Sequence, residues 1–281
     1  MKLVITGASG YVASRMLPAL RERYDLVLLD VKTTDRAGQE VEGIQVTDLL
    51  NVDRDTYRDH FRGADAVLHC GFTRSDTPEG RFFAENDNVK MAYNVYQTCV
   101  EEGVGRAVAL SSNHAADYYE RLIWSDRMEY VTPEMTPLSD NFYGWAKASY
   151  ELLGFVFATG NASGGTKLEV VQLRIGGPRE TDIDKASADD LKKMHRGLGA
   201  YLSARDQIQL VVKSLETENI DDENGVPFQI FYGISGNSHN FWSLANAKRV
   251  IGYAPEDNSA VKFADKIAAV TEEAQQQNYA G

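Results

Sequence analysis

The sequence predicts an α/β chain wound into a mainly parallel sheet with helices on both faces, and three observations carry that prediction. Short apolar runs alternate with longer amphipathic stretches, the pattern of repeated βαβ units. A glycine turn, Gly7 to Gly10, joins the first such run to the first amphipathic stretch. An acidic residue, Asp30, closes the second run. Strands are expected at Lys2–Thr6, Leu26–Asp30, Gly43–Val46, Ala66–Cys70, Arg106–Ser111 and Leu168–Arg174, short runs rich in apolar residues. Helices are expected at Tyr11–Arg23, Arg54–Phe61, Asn86–Glu102 and Phe142–Ala158. Val89, Tyr93, Tyr96, Cys99 and Val100 give the third its helical spacing. Right-handed crossovers make such a sheet doubly wound.

Past Arg174 the rhythm changes. Gly176-Gly177-Pro178 interrupts it, and Glu180–Asp190 reads as a polar, acidic connector. A helix is expected over Ala204–Glu216 and a strand over Phe228–Tyr232, and the Gln-rich Thr271–Gly281 reads as a helix end that frays. No linker or repeat divides the chain. One domain, 1–281, is expected, with a core over 1–175 and a mostly substrate-binding lobe over 176–281. That lobe would close over the strand ends, where ligands bind in open α/β sheets.

The 281 residues suffice for a large core, and 43% hydrophobic with 25% charged residues is the balance of a globular protein. A net charge of -12 argues against a nucleic-acid partner, because phosphate contacts need clustered Lys and Arg. Cys70 and Cys99 show no metal or disulfide spacing, and neither do His60, His69, His195 and His239. No metal is expected. Lys-Leu-Val-Ile-Thr-Gly leads straight into the fold without a signal-peptide pattern, and no apolar run approaches the roughly 18 residues of a membrane span. A cytoplasmic protein with no membrane partner is the expectation.

The turn Gly7-Ala8-Ser9-Gly10-Tyr11-Val12-Ala13 lies between strand and helix, the Rossmann-type arrangement for a dinucleotide. Gly7 permits the tight turn, and Gly10 lets backbone amides approach a pyrophosphate at the helix N-terminus. Ser9, Tyr11 and Val12 line that approach. Ala13 stands where a third glycine is usual, and it is small enough for close helix–strand packing. Asp30 can accept ribose hydroxyls and would repel a 2′-phosphate, which selects NAD over NADP. Asp48 has two readings: a contact to the adenine amino group, or a helix N-cap. Leu49, Cys70, Gly71 and Ile175 are expected along the cofactor.

Tyr143 precedes Lys147 by four residues in the helix after the fifth strand, so both lie on one helix face. Ser111-Ser112 ends that strand. A phenol is a useful base near neutral pH only when its pKa is lowered, which a neighbouring ammonium does. The Ser112 hydroxyl can hydrogen-bond the reacting oxygen.

These motifs in this order resemble the extended short-chain dehydrogenase/reductase superfamily, the NAD-dependent epimerases and dehydratases, over nearly the whole chain. The resemblance implies Tyr143 as acid/base, Lys147 holding the nicotinamide ribose, and Asn88 in the preceding long helix supporting a proton relay; a buried packing asparagine is the alternative there. Ser112-Asn113-His114, Leu173-Arg174-Ile175-Gly176, Tyr232-Gly233-Ile234-Ser235 and Ile251-Gly252-Tyr253-Ala254-Pro255 are similar to uronate dehydrogenases and related archaeal sugar and sugar-phosphate dehydrogenases. That branch implies a cyclic sugar, a hexuronate or other acidic sugar, oxidised by NAD at C1 to a lactone. It also implies that Ser112, Asn113, His114 and Tyr143 hold the ring and that Arg196 grips a terminal anion. A guanidinium clamps carboxylate or phosphate alike. Gly177 stands at a substrate position where uronate dehydrogenases carry a serine, and Tyr118–Pro137 and Phe72–Asp87 depart from them in length and spacing. The same residues would serve a nucleotide-sugar epimerase, or a non-catalytic NAD sensor. The superfamily further implies a dimer built on two long helices.

Overall fold

A computed structural model describes residues 1–279, and among these seven strands form one sheet in the order β3-β2-β1-β4-β5-β6-β7. They are β1 Lys2–Thr6, β2 Asp25–Asp30, β3 Ile44–Val46, β4 Ala66–His69, β5 Arg106–Ser112, β6 Glu169–Ile175 and β7 Phe228–Gly233. Every pairing is parallel. Each expected strand lies within one residue of its observed bounds at either end. The order reverses between β1 and β4, so the strand ends open a crevice there.

Side chains alternate across the sheet. Leu3 and Ile5 of β1 join Leu68, Val108 and Leu173 in one core that continues into Phe231 and Trp242. Val4 joins Val67, Ala107 and Val170 in a second core on the other face, filled by Tyr96 and Phe157.

The helices depart from expectation in instructive places. The stretch Tyr11–Arg23 is broken into α1 Tyr11–Ser14 and α2 Leu17–Arg21, because Pro18 has no N–H to bond the carbonyl of Ser14. Arg54–Phe61 forms two 3₁₀ turns, Arg54–Thr56 and Arg58–His60. The Asp53 carboxylate accepts the Asp55 amide there and the Thr56 hydroxyl bonds the Asp53 carbonyl, local contacts that compete with helix. The long helix α3 starts earlier than expected, at Pro78, and runs to Glu102. Thr77 caps it by accepting the Gly80 amide, and Pro78 takes the first helical position. After a short α4, Glu120–Ile123, comes α5, Phe142–Thr159, started by Asn141, which accepts the Gly144 amide.

In the lobe, the expected connector holds a short α6, Thr181–Asp184, and an unpredicted α7, Leu191–Ala200, follows it. Asp190 starts α7 by accepting the Lys193 amide. Helix α8 covers Ala204–Glu216 as expected; α9 Ala245–Ile251, α10 Ser259–Lys262 and α11 Ala264–Tyr279 complete the chain. Of the segment expected to fray, Thr271–Tyr279 is helical within α11, and residues 280 and 281 lie outside the described residues. No described helix is long and apolar enough to cross a membrane.

Candidate active site

Gly7 leaves β1 with φ +64°, and a Cβ there would meet the backbone of Cys70 and Gly71 at 2.7 Å. The turn is thus pressed against the end of β4, and no L side chain fits. Beyond it opens a cleft of ≈ 520 Å³, lined by Gly7, Ser9, Gly10, Tyr11, Val12 and Asp30 on one side and by Asp48, Leu49, Cys70 and Gly71 on the other. All ten belong to the expected cofactor set, whereas Asn88, Tyr143, Lys147 and Ile175, also expected along the cofactor, are not among the residues lining this cleft. No side chain caps the first turn of α1, so its amides face the cleft unclaimed by a protein side chain. The cradle, its size and Asp30 fit a dinucleotide.

Asp30 is already held from its own side. Its Oδ2 accepts from Ser9 N and Ser9 Oγ (3.0 and 2.8 Å), and its Oδ1 accepts from Val31 N. These bonds aim the carboxylate and take up much of its acceptor capacity. Asp48 Oδ1 accepts the Leu50 amide at 2.9 Å, so it caps a turn while also lining the cleft. Cys70 is no thiolate, since burial pushes its thiol up to about 12. His69 bonds Thr6 Oγ1 at 2.7 Å, and burial, assisted by Lys147, pushes its pKa down to about 3. Its imidazole is neutral.

The catalytic candidates meet where β5 ends. Ser112 is the last residue of β5 and lies beside Ile175 of β6 in the sheet register. Its Oγ donates to Asn113 Oδ1 and accepts the His114 amide. Tyr143, on α5, packs edge-on against His114 (ring centroids 5.5 Å apart) and Phe72 (5.6 Å). One turn on, Lys147 is buried and donates from Nζ to the Leu110 carbonyl at 2.7 Å. The ammonium lies over the rings of Tyr150 (4.7 Å) and Tyr143 (5.6 Å) rather than at a phenol oxygen.

This geometry corrects the expected tuning. Burial pushes the Tyr143 phenol above its ordinary value, and the Ser112 hydroxyl beside it pulls the other way without cancelling the shift. Burial also draws the Lys147 ammonium down, to about 8. Desolvation dominates at the phenol in the free chain, and the cation that pulls it down is Arg179.

Asn88 is buried and committed. It accepts the Thr73 amide and donates to the Thr73 carbonyl (both 2.8 Å) and to Glu85 Oε2 (3.0 Å). It therefore ties the loop after β4 to α3. No contact joins it to Lys147 or Tyr143. Gly177 bonds the segment after α7, its N–H donating to Ala200 O; a Cβ there would touch nothing nearer than 3.8 Å, so crowding does not exclude a serine.

At the far end of the pocket, His114 Nδ1 meets Asp117 Oδ2 at 2.5 Å, and Asn141 Nδ2 donates to the same oxygen. Arg196 reaches this network from α7. It is not free: both arms of its guanidinium bond Glu120 at 2.7 Å. In this cluster two buried atoms lack a hydrogen-bond partner: Asn113 Nδ2, and Asp117 Oδ1, which is 3.7 Å from Arg196 Nη2.

Sequence reasoning missed Asp117, Glu120 and Arg179. The first two follow His114 at successive intervals of three, a helical-face signal that could have been read. Arg179 lines the dinucleotide cleft and sits 5.8 Å over the Tyr11 ring. Among the described residues no group of three or more His, Cys, Asp or Glu side chains is placed to hold a metal ion.

Residues 3–195 match the NAD dependent epimerase/dehydratase family. Over 274 residues the chain is 28% identical to the NAD-dependent glucose-6-phosphate dehydrogenase of Haloferax volcanii, covering 92% of this chain and 94% of that protein. It is likewise 28% identical over 268 residues to the L-arabinose 1-dehydrogenase (NAD(P)(+)) of the same organism, with 92% and 98% covered. The crystal structure of uronate dehydrogenase from Agrobacterium tumefaciens superposes with a TM-score of 0.71 at 24% identity, covering 95% of this chain and 88% of that one, which establishes the shared fold. With a Rossmann-type sheet, a dinucleotide cleft and a Tyr143–Lys147 helix, the chain belongs to the NAD dependent epimerase/dehydratase family of enzymes.

Proposed function

We propose that this enzyme oxidises the C1 hydroxyl of a cyclic sugar to a lactone, with NAD as its cofactor. The observation that carries the reading is the polar cluster at the end of β5, where Ser112, Asn113 and His114 stand beside Tyr143 and Asn113 Nδ2 has no protein partner. Sugar hydroxyls are the groups such a set receives. The two Haloferax relatives, both named as sugar or sugar-phosphate dehydrogenases, support the same chemistry.

Gly7, Ser9, Gly10, Tyr11 and Val12 would hold the pyrophosphate and Asp30 the adenosine ribose. When bound, NAD supplies the acceptor for the C1 hydride. Ser112 Oγ would hold the C1 oxygen and Tyr143, as its phenolate, would take the hydroxyl proton; with the C1 hydride passed to the cofactor, that oxygen becomes the lactone carbonyl. Lys147, fixed by Leu110 O, keeps a positive charge under the tyrosine ring below about pH 8. Purified protein with NAD should generate NADH from free aldoses or uronates. Absence of signal across that panel, with both NAD and NADP, would sink the reading. Tyr143→Phe should lower turnover by roughly 10²–10⁴-fold while NAD binding, followed by fluorescence titration, stays within about twofold of wild type.

We also propose that α3 and α5 pair with a second copy of the chain. Phe82 stacks on Trp145 and packs against Phe142, and Phe83, Leu152, Phe155 and Val156 extend an exposed apolar strip on these helices. Such strips mark interaction faces. Phe155→Asp should convert a dimer to a monomer in sedimentation; a wild type that already sediments as a monomer rules the pairing out. Cys70 and Cys99 are both free thiols, which suits a reducing compartment.

A further inference from the structure

Beyond the Ser112–His114 cluster stands a closed ion pair. Arg196 gives Nε and Nη2 to the two oxygens of Glu120, both at 2.7 Å, with the side chains only 29% and 13% exposed. Asp117 brings a second carboxylate to 3.7 Å from the same Nη2, and its other oxygen holds His114. His114 lies edge-on to Tyr143. From the phenol outward the groups run imidazole, carboxylate, guanidinium, carboxylate.

We propose that the sugar oxidised here is uncharged at the end remote from C1: a neutral aldose rather than a uronate or a sugar phosphate. The inference rests on the sugar-dehydrogenase reading and sets the substrate class of the same pocket. Charge around Arg196 carries it, and the hydrogen-bonding demand nearby fits a sugar.

An anionic sugar reaching for Arg196 must either displace Glu120 or enter as a third anion around one guanidinium. Displacement strands a largely buried carboxylate without its partner, and joining sets like charges side by side. Arg179 lies over the Tyr11 ring, 5.8 Å from its centroid, and lines the dinucleotide cleft together with Arg36 and Arg74.

Asp117 Oδ1 is a buried acceptor without a donor, and Asn113 Nδ2 is a buried donor without an acceptor. Hydroxyls satisfy both, because each can give a proton and accept one. An ionised carboxylate or phosphate oxygen has lone pairs only. Ring hydroxyls, which neutral and anionic sugars share, can serve both atoms, so this pair calls for a hydroxylated ligand and the choice at the remote end rests on charge.

The test is a set of matched pairs, galactose with galacturonate and glucose with glucuronate and with glucose 6-phosphate, given to the full chain with NAD. The neutral member of each pair should show kcat/KM at least roughly tenfold above its anionic counterpart. Glu120→Gln, which leaves Arg196 with only the more distant Asp117 carboxylate at 3.7 Å, should shrink that ratio by at least about tenfold. Preference for the anionic members in the wild type overturns the proposal while leaving the dehydrogenase reading intact. NADH from none of the sugars overturns both. A folded Glu120→Gln protein with an unchanged ratio overturns the assignment of selectivity to this ion pair, and if that variant does not fold, the wild-type ratio decides alone.

Discussion

Lys147→Met is expected to cost the enzyme its turnover and to make its fold more stable. The side chain is 6% exposed, and burial lowers its pKa from 10.5 to about 8. That difference corresponds to about 3 kcal/mol of folding stability withheld wherever the folded chain must carry the proton. A lysine with a lowered folded pKa is protonated in both states below about pH 8, so the full penalty stands there. Between pH 8 and 10.5 the folded chain releases its proton before the unfolded chain does, and stability rises with pH. Above 10.5 both states are neutral and the penalty is gone. Methionine fills similar space without the charge, and the Leu110 carbonyl keeps a donor in the Tyr150 hydroxyl at 2.8 Å. Denaturant midpoints should therefore favour the variant by about 3 kcal/mol at pH 7 and converge on wild type near pH 10.5. Turnover should fall by at least roughly 100-fold, because Tyr143 loses the charge beside its ring. A variant less stable than wild type at pH 7 would show that the ammonium's contacts outweigh its burial.

Arg174→Met should act in the opposite direction. Arg174 and Glu151 are 0% and 1% exposed and joined at 2.7 and 2.9 Å. Ser111 and Tyr232 complete the cluster by bonding Glu151 and Arg174 respectively. Removing the guanidinium leaves a carboxylate inside the sheet–helix interface with Ser111 as its sole donor among the described residues. Breaking such a pair costs about 3–5 kcal/mol. The double replacement Arg174→Met with Glu151→Leu should recover most of that loss, since apolar side chains of similar volume often replace a buried pair at little cost. Equal stability of single and double variants would mean that Glu151 does not stay charged when alone.

The central strands β1, β4, β5 and β6 were legible because they are largely apolar runs buried on both faces, whereas β3 at the sheet's edge has no buried residue. Ser112, Tyr143 and Lys147 were legible by position, each standing at a place the βαβ order dictates. Where local chemistry opposed periodicity, the reading failed: Pro18 broke one expected helix, and Asp53 turned another into 3₁₀ turns. Helix α7 was missed for a different reason. Leu-Lys-Lys-Met-His-Arg-Gly-Leu-Gly-Ala is polar and glycine-rich, and its packed residues, Leu198 to Ala200, lie at its end. Tertiary contact rather than propensity holds it. Arg196 shows the same limit in the site. Its residue type suggested an anion clamp, but the anion it holds is 76 positions earlier in the chain, beyond any local pattern.

Gly7 and Gly10 are usually read together as one signature of nucleotide binding, yet here they answer to different masters. Gly7 is fixed by the neighbouring strand: its space is filled by the Cys70 and Gly71 backbone whether or not a ligand is present. A Cβ at Gly10 would meet only the Gly7 carbonyl, at 3.0 Å, so the demand for glycine there comes largely from the ligand side. A descendant of this chain that had abandoned its dinucleotide would be free to alter Gly10 but would still need Gly7 to fold. Of the two, the second glycine is the better witness to function.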